Sequence, residues 1–198
     1  MKRLSLYLFL ILFTLQTPSL ADDISDFQIE GMSIGDSLLD YITEEEINYE
    51  AKHPNAFIYK NNKFISITFP GSNSEIYDYL TVTYKPKDKK YIIHEIKGYL
   101  RFQNNIKGCL KKKKEIVSEL SAIFKEAEKN TKTESHAFDK TGESITHSNW
   151  FFIDTGFIGV TCTDWSEKLL KERDFTDDLT INIDSREFED FLKNKAYK

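Results

Sequence analysis

The sequence is poor in the residues from which most recognisable sites are built. It holds two cysteines and four histidines in 198 residues. The cysteines form no C-x-x-C, and neither has a histidine close by in sequence, so a dithiol redox motif is excluded. The histidines form no H-E-x-x-H zinc motif. There is no N-x-S/T acceptor, no internal repeat and no linker-like composition shift. The clusters Glu44-Glu45-Glu46 and Asp177-Asp178 lack the alternating oxygen ligands and glycine of a calcium loop. Basic charge is also short: 27 Lys and Arg stand against 32 Asp and Glu, for a net charge of −5. That balance argues against nucleic-acid binding, which needs a basic surface to displace counterions, and against adhesion to anionic lipid.

One long apolar run is present. Lys2 and Arg3 precede a stretch from Leu4 to Leu15 broken only by Ser5 and Thr14; Pro18 and the small-x-small triplet Ser19-Leu20-Ala21 follow. This is the three-part pattern of an export signal. The run is about 12 residues, short of the roughly 20 that cross a bilayer as a helix. The expectation is a signal peptide over 1–21, cleaved after Ala21, and one domain over 22–198 with no stable membrane insertion. Loss of Lys2 and Arg3 takes the charge from −5 to −7. No cysteine near the cleavage point offers a lipid-attachment site. The short signal and the Lys/Ile/Asn-rich usage point to a bacterial source and a periplasmic or secreted destination.

In an oxidising compartment, the pair Cys109 and Cys162 reads as a disulfide. The closed loop of about 54 residues corresponds to roughly 4 kcal/mol of chain entropy removed from the unfolded state.

Hydrophobic spacing predicts the rest. Ser33-x-x-Asp36 and Thr43-x-x-Glu46 resemble capping boxes opening short helices. Strands are predicted at 57–59 and 64–69 around Asn61-Asn62, then at 79–84 and 91–102. Ile106, Cys109, Leu110, Ile116, Val117, Leu120, Ile123, Phe124 and Ala127 form one helical stripe from about 106 to 129, capped by Asn105. Residues 130–148 read as polar loop. Trp150–Ile153 and Phe157–Thr163 read as a hairpin, Leu179–Ile183 as a further strand, and Asp184-x-x-Glu187 as the cap of a final helix. The fold class is therefore α+β: an antiparallel sheet, with a four-strand meander and about three more strands, packed against one long helix and a C-terminal helix. Period two puts Ile158, Val160 and Cys162 on one face, towards the helix that carries Cys109.

Two serine motifs need weighing. Gly31-Met32-Ser33-Ile34-Gly35 matches the G-x-S-x-G nucleophile elbow, and Gly35-Asp36-Ser37-Leu38 spells the opening block of GDSL esterases. The elbow requires several parallel strands before its serine, and few residues of the domain precede Ser33. No Asp-x-x-His exists to complete the second motif. Ser33 and Ser37 are kept as candidate nucleophiles, with capping and turn roles favoured.

His136, Asp139 and His147, with Glu134 nearby, are candidate metal ligands at a spacing that fits no established zinc pattern. His94 and Glu95 are neighbours in a strand and so face opposite sides. Lys111–Lys114 is a short basic run, read as a solvated helix face with Lys113 reaching past the core.

Residues Ile29-Glu30-Gly31-Met32-Ser33-Ile34-Gly35-Asp36-Ser37-Leu38 resemble the opening of small exported bacterial proteins that also carry a cysteine at the start of a long helix. The resemblance implies export and carries no catalytic residue with it. The expected function is that of an exported, non-enzymatic protein, without a cofactor, that binds an envelope partner or a small ligand. A serine hydrolase using Ser33 or Ser37 and a metal-binding protein using His136 and His147 are the alternatives.

Overall fold

The computed structural model describes residues 23–70, 76–173 and 175–194; the expected signal at 1–21 and its cleavage point lie outside them. The architecture is α+β. A two-stranded ribbon, β1 (Gln28–Ile29) and β2 (Met32–Ser33), accompanies one eight-stranded antiparallel sheet. The large sheet comprises β3 (Phe57–Ile58), β4 (Ile65–Pro70), β5 (Tyr79–Tyr84), β6 (Ile93–Arg101), β7 (Glu128–Ser135), β8 (Ile145–Ile153), β9 (Gly156–Asp164) and β10 (Asp178–Ser185). Its spatial order is β3-β4-β5-β6-β10-β9-β8-β7. The helices are α1 (Glu44–Glu50), α2 (Ile106–Ile123), α3 (Glu167–Glu172) and α4 (Arg186–Asn194).

The connectivity is two meanders joined by one crossing. The first runs β3 to β6. Helix α2 then carries the chain to the far edge, and β7 to β10 return strand by strand until β10 pairs with β6. Helix α2 forms because its apolar residues recur at three- and four-residue spacing; Cys109 and Leu120 are buried, with Ile106, Leu110, Ile116 and Val117 half-buried against the core. Asn105 caps it by accepting the Gly108 amide at 3.0 Å. The helix packs on β9 and β10. There the Cys109 and Cys162 sulfurs lie at bonding distance, 1.93 Å, with a Cα–Cα separation of 6.0 Å.

Pleating gives the sheet two unlike faces. The register aligns Ile67, Val82, Ile96, Ile183 and Ile158 across five strands on the face that α2 covers. The opposite face aligns Ser66, Thr83, Glu95 and Asp184 in one row and Thr68, Thr81, Lys97 and Asn182 in the next. Helix α4 covers one end of this polar face. Its Phe188 and Phe191 pack with Tyr59 and Phe64 in a second cluster, separate from the main core, and Lys193 lies over the Phe152 ring.

Four expectations are corrected. The stretch 130–148 is not loop: β7 occupies Glu128–Ser135 and β8 begins at Ile145, so four strands follow α2 rather than three. Strand β7 is exposed along its whole length and carries no apolar period. Its charged residues suit an edge strand, where they discourage pairing with another chain. Helix α2 accordingly ends at Ile123, before the expected 129. Ser33 does not open a helix; it lies in β2, and Ser37 instead caps a short 3-10 turn at Leu38–Asp40. Asp184 does not cap α4: the Ser185 hydroxyl accepts the Phe188 amide at 3.3 Å, and Asp184 belongs to the polar sheet face. The Thr43–Glu46 capping box is formed on α1 as expected.

Candidate ligand-binding site

The serine motifs are a turn and a return. Glu30 and Gly31 take positive φ (52° and 78°) and close the β1–β2 hairpin. Gly35, at φ 94°, brings its amide to the Ile93 carbonyl at 3.0 Å. Ser33 is 5% exposed, and its amide donates to Asp36 Oδ2 at 2.8 Å. The Tyr41 hydroxyl donates to the same oxygen, which pushes the phenol up to about 12. The Ser37 hydroxyl donates to the Lys90 carbonyl at 2.7 Å. The histidine rings are engaged elsewhere: His53 Nδ1 accepts the Asn55 amide, His136 Nδ1 accepts the Phe138 amide, His94 bonds Ser185 and His147 bonds Thr133.

The proposed metal ligands are likewise separated by their own contacts. His136 lies against Trp165 with ring centroids 4.5 Å apart. The Asp139 carboxylate accepts the Thr141 and Ser144 hydroxyls at 2.7 and 2.6 Å, and these bonds hold its pKa well below the usual carboxylate range. Among the described residues no group of three or more His, Cys, Asp or Glu is arranged to hold a metal ion. No helix among them is long and apolar enough to cross a membrane. In the Lys111–Lys114 run, Lys113 donates to Asn149 Oδ1 at 2.8 Å, and burial lowers its pKa.

The polar sheet face gathers two features that local sequence did not reveal. The first is a buried charge network. Glu95 and Asp184 are cross-strand partners, 1% and 3% exposed respectively. Glu95 Oε1 pairs with Lys97 Nζ at 2.6 Å, and Oε2 accepts the Thr83 hydroxyl, which in turn bonds Ser66 Oγ at 2.6 Å. Burial disfavours the Lys97 ammonium, but Glu95 and the other anionic neighbours outweigh it and the pKa rises. Asp184 has the opposite problem. Burial first, and then the Glu95 charge, raise its pKa well above the carboxylate range despite Lys97. Two carboxylates at this spacing do not both ionise readily, so the arrangement favours the protonated form of Asp184 over its carboxylate. Asp184 Oδ1 has no hydrogen-bond partner among the described residues.

The second feature is an open trough at the other end of the same face. Two cavities of about 350 and 190 Å³ share Arg101, Phe175 and Thr176. Arg101 ends β6 opposite Asp178 of β10. Its guanidinium lies over the Tyr79 ring, 4.8 Å from the centroid. Asp178, the register neighbour, is taken by other donors: Trp165 Nε1 reaches Oδ2 at 3.0 Å and Thr180 reaches Oδ1 at 3.2 Å. The Arg101 main-chain amide donates to Asp78 Oδ2 at 2.7 Å, but its guanidinium has no ion pair among the described residues. Trp165 and Phe175 are 4.6 Å apart and form an aromatic wall, extended by Phe138, which is 53% exposed. The buried Thr176 hydroxyl oxygen, in a residue lining both cavities, has no hydrogen-bond partner among the described residues. Tyr99 completes the floor, its phenol pKa raised chiefly by burial.

No family model, curated protein or solved structure matches the chain. The site therefore rests on geometry alone. Arg101 carried no signal, because its significance lies in a neighbour that is already satisfied.

Proposed function

We propose that this chain is an exported, non-enzymatic binding protein that holds a small ring-bearing anion in the Arg101 trough. The observation that carries the reading is Arg101 itself: a guanidinium stacked on Tyr79, unpaired among the described residues, at the junction of two cavities walled by Trp165 and Phe175. A guanidinium offers a planar fork of donors that matches a carboxylate in two parallel hydrogen bonds, and aromatic walls receive the flat face of a sugar or aromatic ring. The smaller cavity sets a few polar groups among Tyr79, Tyr99, Trp165 and Phe175, the usual make-up of a small-molecule site, and the larger adds the polar side chains of Gln103 and Asn104. The export signal pattern and the bonding-distance cysteine pair support an extracytoplasmic setting.

The test uses 8-anilinonaphthalene-1-sulfonate, an anionic aromatic probe, with displacement by glucuronic acid. Saturable binding of one probe, weakened about tenfold (~1.4 kcal/mol) by Arg101→Gln and displaced by the uronic acid but not by glucose, is the expected result. Equal binding by wild type and Arg101→Gln would sink the reading.

A further inference from the structure

The turn between β3 and β4 and the turn between β5 and β6 end beside one another, and α4 closes the gap with Phe191. They enclose a cavity of about 380 Å³. Four lysines line it, Lys60 and Lys63 from the first turn and Lys85 and Lys87 from the second, and no carboxylate does. This is a concentration of positive charge on a chain whose net charge is −5.

The four ammonium groups fall into two pairs. Lys63 and Lys85 are held in place: both pair with Glu187, at 3.6 and 2.6 Å, and both sit over the Phe64 ring, at 5.3 and 5.8 Å. Lys63 also lies 5.3 Å from the Phe191 centroid. Lys60 and Lys87 are exposed and have no ion pair among the described residues. One carboxylate thus serves two of four cations. Like charges drawn to one concavity repel one another, and an anion entering it relieves that repulsion. Asn61 and Asn62 add side-chain amides, and both take positive φ (60° and 51°), the conformation that turns the chain sharply enough to bring Lys60 and Lys63 to the same cavity.

We propose that this pocket binds a phosphomonoester dianion. Lysine suits phosphate because it acts as a compact point charge with rotatable donors, and two free ammonium groups match the charge of a dianion. Phe191 and the lysine stems form an apolar side to the pocket, which suits a phosphate carried on an organic group. The site is separate from the Arg101 trough and goes beyond the function proposed above.

The experiment titrates the full domain with inorganic phosphate and glucose 6-phosphate by calorimetry, and tests cosedimentation with phosphatidylcholine vesicles with and without phosphatidic acid. The variant is Lys60→Gln/Lys87→Gln, which leaves the two lysines that pack on Phe64 untouched. Saturable binding of glucose 6-phosphate, or selective binding to phosphatidic acid vesicles, supports the site when the variant weakens it at least tenfold. The first outcome identifies a soluble phosphomonoester and the second a lipid headgroup. Failure of wild type to bind any of these probes, or equal binding by the variant, overturns the proposal. Arg101→Gln leaves phosphate binding intact, which separates the two sites.

Discussion

Glu95 and Asp184 face each other across β6 and β10 with both carboxylates buried. Directly opposed residues on paired strands have Cβ atoms about 4.5–5.5 Å apart, so two negative charges here would be strongly unfavourable. Lys97 neutralises Glu95 at 2.6 Å, and burial together with the Glu95 charge raises the pKa of Asp184. The polar face thus holds one paired carboxylate, Glu95, beside a second, Asp184, whose Oδ1 lacks a hydrogen-bond partner among the described residues.

The pH dependence of stability follows from the raised Asp184 pKa. Below the ordinary aspartate value of about 3.9, both folded and unfolded states carry the proton. Above it the unfolded chain loses the proton while the folded chain keeps it, so this residue makes stability fall as pH rises, up to the elevated folded pKa. The slope across that window is about 1.4 kcal/mol per pH unit. Asp184→Asn removes it. Urea unfolding from pH 4.5 to 8 is expected to give a flatter profile for the variant, with the variant at least as stable as wild type at pH 8. Parallel profiles would refute the raised Asp184 pKa.

Lys97→Met leaves Glu95 buried beside Asp184 without its counter-ion. Breaking one partner of a buried pair typically costs 3–5 kcal/mol; because Lys97 is 26% exposed, a loss of about 2–3 kcal/mol is expected. Adding Glu95→Gln should recover part of it, since the unpaired charge is gone. A double-mutant cycle by chemical denaturation reads the coupling, and strictly additive losses would show that the pair contributes nothing.

The Cys109–Cys162 link joins the first turns of α2 to the middle of the sheet. Cys109→Ser/Cys162→Ser is expected to lose roughly 3–4 kcal/mol, and reduction of wild type should lower its stability similarly. Intact mass after alkylation without reduction should show no modified thiol.

Gly156 begins β9 where a Cβ would strike the Asp184 backbone carbonyl and the Ile24 side chain. At Gly159 the obstacle is the Asn182 side-chain amide, which can move. Gly156→Ala is therefore expected to destabilise by about 2–3 kcal/mol and Gly159→Ala by less than half of that, measured as thermal midpoints. Equal shifts would contradict the difference in what each methyl meets.

Local pattern carried much of the fold. Strand β5 was predicted with its observed ends because Tyr79–Tyr84 alternates cleanly, and the α1 capping box was readable because its partners sit three residues apart. Strand β7 was not readable. Glu128-Lys129-Asn130-Thr131-Lys132-Thr133-Glu134-Ser135 has no apolar period, and only pairing with β8 makes it a strand. The polar trough was illegible for a related reason. Arg101, Trp165 and Phe175 meet through the β6–β10 pairing, and nothing local to Arg101 distinguishes it from any exposed arginine.

By itself the sequence determined the class, the long helix, the facing of both thiols towards the helix–sheet interface and the two-faced character of the strands. Those features depend on periods of 2 and 3.6 residues, which the chain carries locally. Only the tertiary structure decided that β6 lies beside β10. That one adjacency sets Glu95 against Asp184 and Arg101 against an already occupied Asp178. Strand order depends on which distant segments bury the most apolar surface together, and no residue records that choice in its immediate neighbours.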